Sequence, residues 1–188
     1  MNGEYNRPLT LTDFLYLIVL YLGINSLLTC QQWQIYILFT VISLSLIVDW
    51  TSAFTMSPKA SKILLISDIL TSINYLCLYQ ATTSLEFSNT TTFVRYFFHY
   101  AIVFIIYSIW NIFLLIKTQA TQETANFLKT YTIVGIVFSF VCLISFVLVL
   151  TNIVSTFVCL NISWVICLIH FLELFLWLWF TFFKPRKK

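Results

Sequence analysis

Charged residues are scarce in this sequence: Asp, Glu, Lys and Arg make up 9% of its 188 residues, whereas 60% are hydrophobic. Soluble domains carry about 25% charged residues. A soluble fold of this length has too little interior to bury so much apolar surface. The composition therefore excludes a soluble globular fold and predicts that lipid surrounds most of the chain. The basic residues are dispersed, so we expect no direct binding to nucleic acid.

Glycine and proline are also rare, with three of each. The sequence has no Gly-rich phosphate loop, no nucleophile elbow and no His-x-x-x-His metal pair. Broken helices, on which many secondary transporters build their sites, are disfavoured for the same reason. The five cysteines lack metal-ligand spacing and are interpreted as small apolar packing residues. We therefore expect no enzymatic activity, no bound metal and no cofactor.

Six apolar stretches are long enough to cross about 30 Å of hydrocarbon at a helical rise of about 1.5 Å per residue. They lack the alternation of polar and apolar residues that barrel strands require, so they are predicted to be helices. The stretches are residues 11–29, 33–55, 62–82, 94–116, 128–150 and 154–183. The sequence predicts one all-α domain over residues 1–188, a bundle of six transmembrane helices.

The distribution of Lys and Arg predicts the orientation of the bundle. Arg95 alone falls on one side of the six predicted spans. The other nine basic residues fall on the opposite side: Arg7, Lys59, Lys62, Lys117, Lys129, Lys184, Arg186, Lys187 and Lys188. Cytoplasmic loops are rich in Lys and Arg, so both ends of the chain are predicted to be cytoplasmic. We expect a multi-pass protein of the bacterial cytoplasmic membrane.

Polar side chains near the cytoplasmic ends of helices 2, 3 and 4 form the first candidate site. Asp49 and Asp68 lie at about 9 Å depth on neighbouring antiparallel helices, and Asn111 reaches the same level. Two nearby carboxylates can share a proton or hold a cation. A simpler interpretation is that each carboxylate bonds to local hydroxyls or pairs with Lys59 and Lys62.

Helix 6 carries the second candidate site. His170 and Glu173 are three residues apart and therefore share a helix face. If Lys184 marks the inner membrane boundary, His170, Glu173 and His99 of helix 4 are predicted to lie between mid-membrane and the outer surface. The functional interpretation of this placement is a proton relay. Interhelical hydrogen bonding is the simpler interpretation, and a haem held by His99 and His170 is the least favoured.

Two further patterns concern helix contacts and the membrane surface. Small residues on one face of helix 5 predict a close helix–helix approach; they are Thr132, Gly135, Ser139 and Cys142. The basic tail predicts contact with anionic lipid headgroups or, alternatively, with a cytosolic partner; it contains Lys184, Arg186, Lys187 and Lys188. Tryptophans near predicted helix ends indicate interfacial anchors; they are Trp33, Trp50, Trp177 and Trp179.

Two functions fit these patterns. The first is an oligomeric channel or carrier for protons or a small cation, because polar stripes on a small bundle complete a path when copies associate. The second is a non-conducting membrane sensor or anchor that recruits a cytosolic protein, as in a bacterial defence or immunity system.

Overall fold

The computed structural model describes residues 11–56, 62–117 and 122–179, and over these ranges the chain is all-helical, without strands. This confirms the predicted all-α class and the presence of six helices within that part of the chain. The helices are α1 (Leu11–Leu27), α2 (Trp33–Met56), α3 (Lys62–Thr83), α4 (Thr92–Lys117), α5 (Gln122–Leu150) and α6 (Thr156–Leu178).

Helix α5 differs most from its predicted bounds. It begins at Gln122, whereas the hydropathy of the sequence placed its start at residue 128. Hydropathy marks where apolar side chains begin, but polar residues such as Gln, Glu and Lys continue a helix equally well. The helix therefore extends beyond the apolar stretch. For α6, the predicted end at residue 183 lies outside the described residues.

The turn between α5 and α6 follows from its polar residues. Asn152 adopts a φ of 54°, a left-handed conformation that Asn tolerates better than most residues. The hydroxyl of Ser155 then accepts a hydrogen bond from the Val158 backbone N–H and caps the start of α6. A short turn of this kind makes α5 and α6 antiparallel neighbours.

Three helices are long and apolar enough to cross a membrane within the described residues. They are Thr92–Ile116, Ala125–Leu150 and Thr156–Leu178, of 25, 26 and 23 residues. At the helical rise each is about 35 to 39 Å long, more than the hydrocarbon thickness of about 30 Å. These helices support insertion into a membrane.

The surface and interior of the bundle have the polarity expected in lipid. Large apolar side chains on the outer face of α5 are more than half exposed, including Ile133 at 63% and Phe140 at 61%. In the interior, by contrast, polar side chains such as Ser45, Thr82 and Ser163 are fully buried. Water would not stabilise so apolar an exterior, whereas hydrocarbon does.

Aromatic side chains on α4 form the centre of the bundle. They recur at three- and four-residue intervals and are almost completely buried: Phe93, Tyr96, Phe97, Tyr100 and Phe104. Successive rings pack on one another, with centroids 6.1 Å apart for Phe93 and Phe97 and 5.0 Å apart for Tyr96 and Tyr100. Because α4 is buried along this stripe, it fixes the positions of the helices around it.

The small-residue face of α5 packs against α4. Thr132, Gly135, Ser139 and Cys142 are all buried. A β-carbon added at Gly135 would lie 2.6 Å from Ser108 Oγ and 3.3 Å from the Phe104 carbonyl oxygen. The absence of a side chain therefore permits the close approach that this face predicts.

Candidate functional site

A cavity of about 60 Å³ lies between the helices, and all six contribute to its wall. This exceeds the about 10 to 15 Å³ that a single water molecule needs, so the cavity has room for water. The lining residues are Tyr16, Val48, Asp68, Thr71, Ile106, Tyr107, Trp110, Asn111, Tyr131, His170, Glu173, Leu174 and Trp177.

Four of the six residues in the predicted ion or proton pathway line this cavity together: Asp68, Asn111, His170 and Glu173. Asp68 is the seventh residue of α3, and Asn111 lies six residues before the end of α4. Six residues of helix correspond to about 9 Å. The cavity therefore occupies the end of the bundle where α3 begins and α4 ends, which the basic residues predict to be cytoplasmic.

The positions of His170 and Glu173 differ from the sequence-based placement. The predicted register put both from mid-membrane outwards, whereas the structure places them in the same cavity as Asp68 and Asn111. The apolar stretch that contains α6 is longer than a membrane span needs. Its length therefore does not determine its depth, and packing against neighbouring helices sets the register.

His99 is paired with α3 and is not among the residues that line the cavity. Its Nδ1 lies 2.9 Å from Asn74 Oδ1, and Asn74 Nδ2 donates to the His99 carbonyl oxygen at 3.1 Å. His170 has other partners, Ser45 and Tyr100. Across the described ranges no group of three or more His, Cys, Asp or Glu residues could hold a metal ion. The two histidines therefore occupy separate hydrogen-bonded clusters.

Two parts of the predicted site lie outside the described side chains. Asp49 belongs to α2, next to the cavity-lining Val48, but its side chain lies outside the described part of the structure. The basic tail also lies outside the described residues: Lys184, Arg186, Lys187 and Lys188. Both remain predictions.

A buried polar cluster extends the cavity into the bundle, and Ser45 is at its centre. The Ser45 hydroxyl lies 2.6 Å from Tyr75 Oη, 3.2 Å from Tyr107 Oη and 2.9 Å from His170 Nε2. The hydroxyls of Tyr75 and Tyr107 are 2.8 Å apart. These four side chains come from α2, α3, α4 and α6, so one serine joins four helices. Tyr107 and His170 connect the cluster to the cavity.

Towards the opposite end of the bundle, the polar cluster gives way to aromatic packing. His170 Nδ1 lies 3.5 Å from Tyr100 Oη, a long hydrogen bond. The next ring on α4 belongs to Tyr96, whose buried hydroxyl has no hydrogen-bond partner among the described residues. Fully buried Phe93 and Phe97 follow. The hydrogen-bonded path therefore ends at Tyr100.

Several residues near the cavity were not predicted from the sequence. The Tyr131 hydroxyl donates to the Glu173 carbonyl oxygen at 2.6 Å and ties α5 to α6. Asp13 is 1% exposed, and its Oδ1 accepts a hydrogen bond from Trp50 Nε1 at 2.8 Å. Spacing gives one signal that could have found Tyr107, since it lies one helical turn before Asn111 and so shares its face.

Comparison of the chain with protein-family models, with curated proteins and with solved structures gave no match. The chemistry of the residues that line the cavity is therefore the basis for the proposed function. Its wall offers two carboxylates, an imidazole, a carboxamide and tyrosine side chains. Carboxylates and imidazole exchange protons, and carboxylate and amide oxygens bind hard cations. Within the described residues, no Lys or Arg is part of this wall.

Proposed function

We propose that the chain is a channel or carrier for protons or a small cation in the bacterial cytoplasmic membrane, with six spans and both ends in the cytoplasm. One observation carries this proposal: Asp68, Asn111, His170 and Glu173 line a single cavity in a bundle with an apolar exterior. Three apolar helices of sufficient length support the membrane location.

The energetic argument starts from the two carboxylates. A charged side chain at the centre of a membrane span costs about 2.5 to 3.5 kcal/mol even on insertion scales, and ionisable residues within spans usually serve a function. Asp68 lies about 9 Å from the start of α3, where the cost is smaller but the side chain is still within the helix bundle. Asp68 and Glu173 come from different helices and line the same small cavity. Carboxylate oxygens that share a cavity are suitable ligands for a cation.

The polar cluster around Ser45 supports proton movement in particular. Hydroxyl and imidazole groups both accept and donate hydrogen bonds, so they can pass a proton along a chain. The chain from Tyr107 through Ser45 to His170 has contacts of 3.2 and 2.9 Å. Both ends of this chain line the cavity, and the 3.5 Å contact between His170 Nδ1 and Tyr100 Oη continues it into the interior of the bundle.

The aromatic end of the bundle bears on mechanism. Because Phe93 and Phe97 close the path beyond Tyr100, conduction requires these rings to move or requires a second copy to complete the path. A homo-oligomer therefore belongs to this proposal. The same closure favours a second candidate, a non-conducting sensor whose cavity faces the cytoplasm and whose basic tail recruits a cytosolic protein.

Flux measurements distinguish the two candidates. The purified chain is reconstituted in liposomes that contain a pH-sensitive dye, and proton entry is followed under an imposed gradient, alone and with K⁺ or Na⁺. We expect flux in the wild type and its loss in Asp68→Asn and Glu173→Gln, which remove charge and preserve shape. Glu86→Gln is the control, because Glu86 is exposed in the α3–α4 turn.

Two outcomes would contradict a conducting function. Full flux in the Asp68→Asn, Glu173→Gln double variant would show that the cavity carboxylates are dispensable. No flux in a folded wild type would favour the sensor. The sensor in turn requires that a cytosolic protein co-purify with the wild type and that this co-purification be lost when Arg186→Ala removes a charge from the basic tail.

A further inference from the structure

Aromatic rings form much of the wall of the same cavity. Tyr16, Tyr107, Trp110, Tyr131 and Trp177 come from α1, α4, α5 and α6 and surround it. The hydroxyls of Tyr107 and Tyr131 already have protein partners, so these side chains offer a ligand mainly their rings. An inorganic ion gains little from such a wall, because it needs oxygen ligands on all sides.

The face of an aromatic ring carries partial negative charge and attracts cations, most strongly when water is excluded. A wall that combines such faces with Asp68 and Glu173 suits a cation with an apolar surface. Methylated ammonium groups have this property, because methyl groups spread the charge and cannot donate hydrogen bonds. The carboxylates supply the long-range attraction, and the rings supply contact.

We propose that the cavity binds a small organic cation of the methylated ammonium type. The inference rests on the proposed function in that it names the class of cation held at the same site. The space of about 60 Å³ limits the ligand to a few heavy atoms. Dimethylammonium, with three heavy atoms, is the appropriate probe, whereas a large lipophilic cation should be excluded.

The test is a binding measurement on the full chain in detergent. Two of the six tryptophans, Trp110 and Trp177, line the cavity, so quenching of intrinsic fluorescence reports occupancy. Dimethylammonium is titrated against ethanol, a neutral molecule with the same number of heavy atoms, and against NaCl at matched ionic strength. We expect saturable quenching with dimethylammonium alone.

Variants separate the contributions of charge and rings. Glu173→Gln should weaken dimethylammonium binding by about tenfold, because it removes a charge in a poorly solvated site. Trp110→Leu should weaken binding by about 3- to 30-fold, the range that one cation–π contact supplies. Trp33→Leu is the matched control, because Trp33 is 63% exposed and packs on Trp164 away from the cavity. If Trp110→Leu does not fold, Trp110→Phe retains a ring and should bind nearly normally.

Equal binding of dimethylammonium and ethanol would overturn the inference, as would unchanged affinity in Glu173→Gln. The outcome is separable from that of the flux experiment. Proton flux without dimethylammonium binding would refute the organic cation and leave the proposed function intact. Saturable binding without flux of any ion would support the organic cation and refute conduction.

Discussion

Gly135 offers a quantitative test of how α4 and α5 pack. In Gly135→Ala, the new β-carbon would lie 2.6 Å from Ser108 Oγ, closer than van der Waals contact allows. Ser108 is 4% exposed and its hydroxyl donates to the Phe104 carbonyl oxygen at 2.8 Å. The serine must therefore change rotamer and lose this bond, or α5 must move away from α4.

The net effect follows from three contributions. Overpacking costs about 1 to 3 kcal/mol, and the lost hydrogen bond about 0.5 to 1.5 kcal/mol. Alanine offsets about 1 kcal/mol through its higher helix propensity than glycine. Gly135→Ala should therefore lower the free energy of unfolding by about 0.5 to 3.5 kcal/mol. Gly135→Leu should be worse, because its larger side chain cannot fit by rotation of Ser108.

A double-mutant cycle tests this explanation. In a Ser108→Ala background the hydroxyl oxygen is gone and the 3.3 Å contact with the Phe104 carbonyl oxygen remains, so Gly135→Ala should cost clearly less than in the wild type when unfolding is followed by SDS titration in micelles. Ile136→Leu is the control, because Ile136 is 40% exposed and its substitution should have little effect. The reasoning fails if Gly135→Ala destabilises equally with and without the serine hydroxyl.

Three further predictions concern polar contacts and topology. Asn74→Leu should destabilise the protein by about 1 to 3 kcal/mol in the same titration, because His99 loses its partner on α3; no change would show that the pair is incidental. Tyr75→Phe should cost about 1 kcal/mol and slow proton flux, because Ser45 and Tyr107 lose a shared hydroxyl; normal flux would exclude Tyr75 from the path. Reporter fusions at position 88 should read as external and those at 57, 122 and 188 as cytoplasmic; a cytoplasmic result at 88 would refute six spans.

Hydropathy predicted the all-helical fold, and helical spacing aligned two of the residues that line the cavity. Asp68 and Asn111 were expected at one depth because each lies six residues from a basic helix end, and the structure places both in one cavity. Depth along a helix depends on its rise alone when a charged boundary is close. These two residues could therefore be aligned before any tertiary contact was known.

Tertiary packing decided what spacing could not. The depth of His170 depends on its contacts with Ser45 and the ring of Phe104, which no pattern within α6 encodes. Trp177 was predicted to be an interfacial anchor by its position near a helix end, but it is 9% exposed and lines the cavity. Rotation about the helix axis distinguishes an anchor from a cavity wall, and the neighbouring helices set that rotation.

Conduction from the cytoplasm requires that the polar cavity hold water and open on that side. The most direct test of this requirement is the reactivity of a cysteine placed in the cavity wall. Asn111→Cys is introduced into a variant whose five native cysteines are replaced by alanine, with Ile133→Cys on the lipid-facing surface as the control. A membrane-impermeant, cationic thiol reagent is added to inside-out and right-side-out vesicles. We predict modification of the cysteine at 111 in inside-out vesicles alone, and none of the cysteine at 133. Modification from the external side, or from neither side, would contradict the account.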